Sequence, residues 1–178
     1  MAGGESPNLS DRPHYQVFIS KIKKDAEANP NIRITGFVQD RDIPMYFAAA
    51  DLVVLPYRAL MSSSGPLAMT IAFEKPFLLS HALKPYINDA DFRCAIANAG
   101  LTFASFTFLL TPHSFRTQLR SALKHRRSLA KLATILKVSR TWDQVAMRFA
   151  QAIPTYDYAG RRTFAIMGGG VPVSYPHT

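Results

Sequence analysis

Three serines and a glycine, Ser62, Ser63, Ser64 and Gly65, stand directly before a proline and a run of apolar residues. A hydroxyl at the start of a helix caps free backbone N–H groups. The same N–H groups, with the positive end of the helix dipole, favour a phosphate or diphosphate. Gly65 carries no side chain, so backbone at that point can approach a ligand closely. These residues alone leave two readings open, a simple N-cap or a diphosphate cradle. Arg58, a few positions upstream, is either a surface arginine or a further phosphate contact. Other chemistry is sparse. The single cysteine, Cys94, excludes an intrachain disulfide and a Cys-based zinc site, and the five histidines (14, 81, 113, 125 and 177) lack ligand spacing. No metal or other cofactor is expected. No carboxylate pair or Ser/His/Asp order stands out for acid–base or nucleophilic work, so no catalytic residue is assigned.

A turn of this kind meets a ligand when it lies beyond the carboxyl end of a strand in a parallel sheet. Leu52-Val53-Val54-Leu55, closed by Pro56-Tyr57, is apolar on both faces and predicts such a strand. Residues 66–73 predict a helix that is apolar nearly all round and therefore buried. Residues 76–80 predict a second apolar strand, 88–99 a helix ended by Gly100, and 101–103 a brief last strand. Upstream, Ser10 or Asp11 with Pro13 starts a helix whose apolar face is Tyr15, Phe18, Ile19, Ile22 and Ala26. Residues 32–35 read as a short strand closed by Gly36, and 39–50 as an acidic helix start and a short helix. Residues 1–4 resemble a strand end and a glycine-rich turn. The alternation predicts an α/β fold with a Rossmann-like, doubly wound parallel sheet.

Beyond Pro112 the pattern is helix alone. Its apolar faces are Phe115, Leu119, Ala122 and Leu123; then Leu129, Leu132, Ala133 and Leu136; then Trp142, Val145, Ala146, Phe149 and Ile153. Thr141 and Gln144 form a capping box before the last of these. Trp142 and Cys94 are expected to pack inside. Residues 154–178 read as an irregular tail.

A chain of 178 residues suits one domain, and 48% hydrophobic against 19% charged residues excludes a disordered charged tail. The net charge of +9 is local. Nine Lys and Arg but one acid, Asp143, lie from Arg116 to Arg148, and the rest is nearly neutral. That stretch is a solvated helix face or a contact for an anionic membrane surface or lipid-linked acceptor. Nucleic acid is disfavoured, because no Phe, Tyr or Trp interleaves with the basic residues from Arg116 to Arg140 and no reading motif is present. No apolar run approaches a membrane span, and the polar, acidic opening is unlike a secretory signal. The expected location is cytoplasmic, peripheral at the membrane in the second reading.

Residues 31–80 as a whole resemble the C-terminal domain of GT-B glycosyltransferases, in particular the retaining glycosyltransferase group 1 (family 4 type). The resemblance lies in Asn31-Ile32, Thr35-Gly36-Phe37-Val38, Ala49-Ala50-Asp51-Leu52-Val53-Val54-Leu55-Pro56-Tyr57, Ser64-Gly65, and Lys75-Pro76 with Ser80. Thr141-Trp142 resembles the Ser/Thr-Trp pair before the family's closing helix. This resemblance implies that a nucleoside-diphosphate sugar is the donor, with its diphosphate on Ser62, Ser63, Ser64 and Gly65. Phe37 and Val38 would border the base and Thr70 would touch the ribose, with no metal required. Residues 1–153 would then be the donor domain without its first strand and helix, and the acceptor would belong to a separate N-terminal domain. A fragment, a truncated product and one half of a split enzyme all fit. The family's two glutamates, eight positions apart, are absent: counting back from Lys75-Pro76 reaches Met69 or Thr70, and Met61 or Ser62. Glu74 stands where relatives carry glycine. A degenerate, non-catalytic domain acting as an interaction or membrane-docked subunit is the alternative.

Overall fold

The structure is a computed structural model that describes residues 5, 7–60, 64–152, 155–156 and 162–163. The chain divides into two units, residues 1–50 and 51–178.

In the first unit, Pro13 opens α1 (Pro13–Glu27). Its proline sits where a missing N–H costs nothing and its fixed φ suits the helix. Tyr15, Ile19, Ile22 and Ala26 are half-buried and Phe18 is exposed. Residues 32–35 are not a strand; Gly36 alone makes a bridge, at φ +71°. A β-rich run becomes a strand only by pairing, and no ladder forms on this one among the described residues. A short helix, α2 (Ile43–Ala49), follows. The expected strand end at residues 1–4 lies outside the described residues.

The second unit is α/β, built on a parallel sheet of β1 (Val53–Leu55), β2 (Phe77–Ser80) and β3 (Thr107–Phe108) in that order. Val53 pairs with Phe77, Leu55 with Leu79, and Ser80 with Phe108. The central strand β2 is buried throughout, which explains its unbroken apolar sequence. Between β1 and β2 runs α3 (Gly65–Ala72), completing a βαβ unit. After a 3₁₀ stretch (His81–Asn88) come α4 (Ala90–Asn98) and, beyond β3, α5 (Pro112–Lys124), α6 (Arg126–Ser139) and α7 (Trp142–Ala152). A two-stranded antiparallel pair, β4 (Thr155–Tyr156) with β5 (Arg162–Thr163), lies within the stretch read as an irregular tail. Residue 153 and the rest of that tail lie outside the described residues.

The core joins Phe77, Leu78, Leu79, Leu83, Phe92 and Phe106 to Leu129, Leu132, Ala133 and Leu136, the α6 face that periodicity predicted. Phe106 lies edge-on to Phe77 at 5.8 Å and stacks on Phe92 at 6.3 Å.

Four further expectations are corrected. The last strand is at 107–108, not 101–103. Gly100, at φ +68°, ends α4, the Leu101 N–H bonds back to the Ile96 carbonyl, and Phe103–Ser105 is a 3₁₀ turn boxed by Thr102 and Ser105. The backbone of 101–103 is therefore committed to the helix ending and the turn. α3 is buried on one stripe only, Leu67, Thr70 and Ile71, with Met69 and Phe73 exposed. Cys94 is exposed on α4. Trp142 is 87% exposed although Thr141 does cap its helix, accepting from the Gln144 N–H.

Candidate functional site

The turn between β1 and α3 is anchored by a chain of side chains. Fully buried Ser80, at the end of β2, donates its hydroxyl to the Tyr57 carbonyl at 2.6 Å. The Tyr57 hydroxyl shares a hydrogen bond with Ser64 Oγ at 3.0 Å. Ser64 in turn caps α3, its Oγ accepting from the Leu67 N–H at 3.1 Å. Two strand ends and a helix start are thus tied together at the carboxyl edge of the sheet, where α/β proteins hold ligands.

The four residues expected to cradle a diphosphate are described only in part. Ser62 and Ser63 lie outside the described residues, as does Met61. Ser64 is half-buried and Gly65 exposed. Pro66 has no N–H and Leu67's is taken by Ser64, so Gly65 presents the open backbone donor of the first turn among the described residues. Arg58 is exposed and makes no ion pair among the described residues. Thr70 is fully buried, and its hydroxyl donates to the Pro66 carbonyl at 2.6 Å. It faces the protein rather than solvent, so the hydroxyl expected at a ribose is held inside. Phe37, 84% exposed, and half-buried Val38 belong to the first unit.

A cavity of about 500 Å³ opens beside the first turns of α3. Ser64, Gly65, Leu67 and Ala68 line one side, and Tyr86, Lys137 and Arg140 contribute from elsewhere. Both cations already have partners. Lys137 Nζ contacts Glu74 at 2.5 Å, and Thr134 donates to the same carboxylate at 2.8 Å. The Lys137 hydrogen bond, then that of Thr134, lowers the Glu74 pKa. Arg140 Nε donates to Asp91 at 2.7 Å, lies 3.6 Å from Asp89, and stands over the Phe92 ring at 5.3 Å. Burial pushes the Asp91 carboxyl up, but the hydrogen bond and charge of Arg140, with lesser help from Phe92 N–H and Arg148, hold it below its ordinary value.

Glu74 has φ +53°, the left-handed conformation that glycine adopts freely. It follows the end of α3, where the Glu74 and Lys75 N–H groups bond back to Ile71 and Thr70. The oddity noted at this position in sequence thus marks a helix ending.

Ser64 and Gly65 stand at the start of α3, where an N-cap is expected. Tyr57, Lys137 and Arg140 leave no local signal in the sequence, because their partners lie up to 63 positions away, and Tyr86 joins them only through the fold. His81, at the start of the 3₁₀ stretch, rests against Phe103 at 5.3 Å. Among the described residues no group of His, Cys, Asp and Glu is arranged to hold a metal, and no helix is long and apolar enough to cross a membrane.

No protein-family model, curated protein or solved structure matches this chain.

Proposed function

We propose that this chain is the nucleotide-sugar-binding part of a GT-B type glycosyltransferase, with the doubly wound sheet of that fold. It would transfer a glycosyl group to an acceptor held by a separate N-terminal domain. One observation carries the reading: the ordered resemblance of residues 31–80 has its Ser64-Gly65 turn at the carboxyl edge of a parallel βαβ unit. There the donor diphosphate meets the Gly65 N–H, the Ser64 hydroxyl and the positive end of α3, with Arg58 free to swing toward it. The resemblance assigns Ser62 and Ser63 to the same diphosphate, and Phe37 and Val38 to the base. Charge building on the departing diphosphate is then met by helix dipole and side chains instead of a metal ion.

A second reading, a non-catalytic relative acting as an interaction subunit, is favoured by the commitments of the site. Ser64 caps α3, Thr70 is turned inward, Lys137 and Arg140 are paired with carboxylates, and the family's glutamate pair is missing.

Calorimetric titration with UDP and GDP separates the two. The Ser64→Asp variant sharpens the test, since aspartate caps a helix as well as serine but repels a diphosphate. Donor binding predicts heat with the parent chain, lost in Ser64→Asp at unchanged thermal stability. Absence of binding at millimolar nucleotide removes the donor reading from the isolated chain.

A further inference from the structure

We propose that α5, α6 and α7 form a docking face for an anionic phospholipid bilayer. Between Asp91 and Asp143 the sequence has no acidic residue. Arg116, Arg120 and Lys124 follow one another at four-residue spacing on α5, as do Arg127 and Lys131 on α6, away from the buried Leu129, Leu132 and Leu136. All five are exposed and have no carboxylate partner among the described residues, whereas Arg126, Lys137 and Arg140 each have one. Leu123 and Val138 are exposed on the same two helices.

α7 adds a different element. Trp142, Val145, Ala146 and Phe149 fall on one stripe of the helix, yet Trp142 is 87% and Phe149 62% exposed. Arg148 ties this helix to the end of α6 by donating to the Ser139 carbonyl at 3.3 Å. Unpaired cations supply attraction to anionic headgroups, and an indole and a phenyl ring on a neighbouring amphipathic helix supply interfacial burial. Charge complementarity, and the lack of Phe, Tyr or Trp among the cations from Arg116 to Arg140, favour a bilayer over a nucleic acid, whose readers interleave the two.

Trp142 is the chain's sole tryptophan and so reports on this face directly. The test is Trp142 emission with vesicles of phosphatidylcholine alone or mixed with phosphatidylglycerol, at low and high salt. Docking predicts a blue shift and reduced acrylamide quenching with the mixed vesicles, reversed by salt. Each cation beside an anionic surface multiplies partitioning about fivefold, so Arg116→Glu/Arg120→Glu/Lys124→Glu should bind at least roughly tenfold more weakly. If that variant misfolds by circular dichroism, the parent chain's salt dependence still decides. Unchanged emission with mixed vesicles overturns the proposal. So does an equal response to neutral vesicles, a response to duplex nucleic acid alone, or concentration-dependent self-association that shields Trp142 without lipid.

Discussion

Removing the Ser80 hydroxyl should loosen the whole carboxyl edge of the sheet. Ser80 is fully buried and donates at 2.6 Å to the Tyr57 carbonyl, which belongs to the segment leaving β1. Ser80→Ala removes this bond and leaves the carbonyl without its partner, a loss of about 1–3 kcal/mol for a buried acceptor. Tyr57 is half-buried, so water reaches it in part and the expected value is about 1–2 kcal/mol. A chain of this size loses about 2–4 °C in Tm per kcal/mol. Urea unfolding followed by far-ultraviolet circular dichroism should show a lower midpoint with an unchanged slope. Tyr57→Phe keeps the carbonyl bond and loses only the hydroxyl shared with Ser64, so its effect should be smaller, about 0.5–1 kcal/mol. If Ser80→Ala is indistinguishable from the parent chain, or Tyr57→Phe is the worse of the two, the anchoring argument fails.

Arg140→Ala should destabilise by about 1–3 kcal/mol, because it strips the largely buried Asp91 of its charged donor, and Arg140→Lys should recover only part of this. Since the folded Asp91 pKa is lowered, its contribution is present above the ordinary carboxylate value and fades as pH falls through the folded one. Stability measured from neutral to acid pH should therefore fall less steeply in Asp91→Asn than in the parent chain. At Glu74 the usual order of glycine and alanine should invert: Glu74→Gly should melt above Glu74→Ala, because both lose the Lys137 contact but only glycine is at ease at φ +53°.

Some of this structure is readable from the chain and some is not, for physical reasons. β1 and β2 announce themselves because parallel strands covered on both faces need unbroken apolar runs, and Phe77, Leu78 and Leu79 form one. The α6 face is equally plain, since Leu129, Leu132, Ala133 and Leu136 keep helical spacing and all are buried. Periodicity says which side of a helix is apolar but not what covers it. That is why Trp142 and Phe149 read as core and stand in solvent. β3 was displaced because the closure of α4 claims the backbone at 101, which no residue type there advertises. In the site, Ser64 is visible as a cap before an apolar run. Its connection to Tyr57 and the 23-position reach from Ser80 to Tyr57 depend on the pairing of β1 with β2 and emerge only in the fold.

On the proposed function, a nucleoside diphosphate binds where Ser64 and Gly65 begin α3. Backbone amide NMR of the ¹⁵N-labelled chain during a UDP titration reads this site residue by residue. Progressive shifts concentrated at Tyr57, Arg58, Ser64, Gly65 and Leu67, absent when uridine replaces UDP, are the predicted result. No shifts at those amides, or shifts of equal size with uridine, would contradict it.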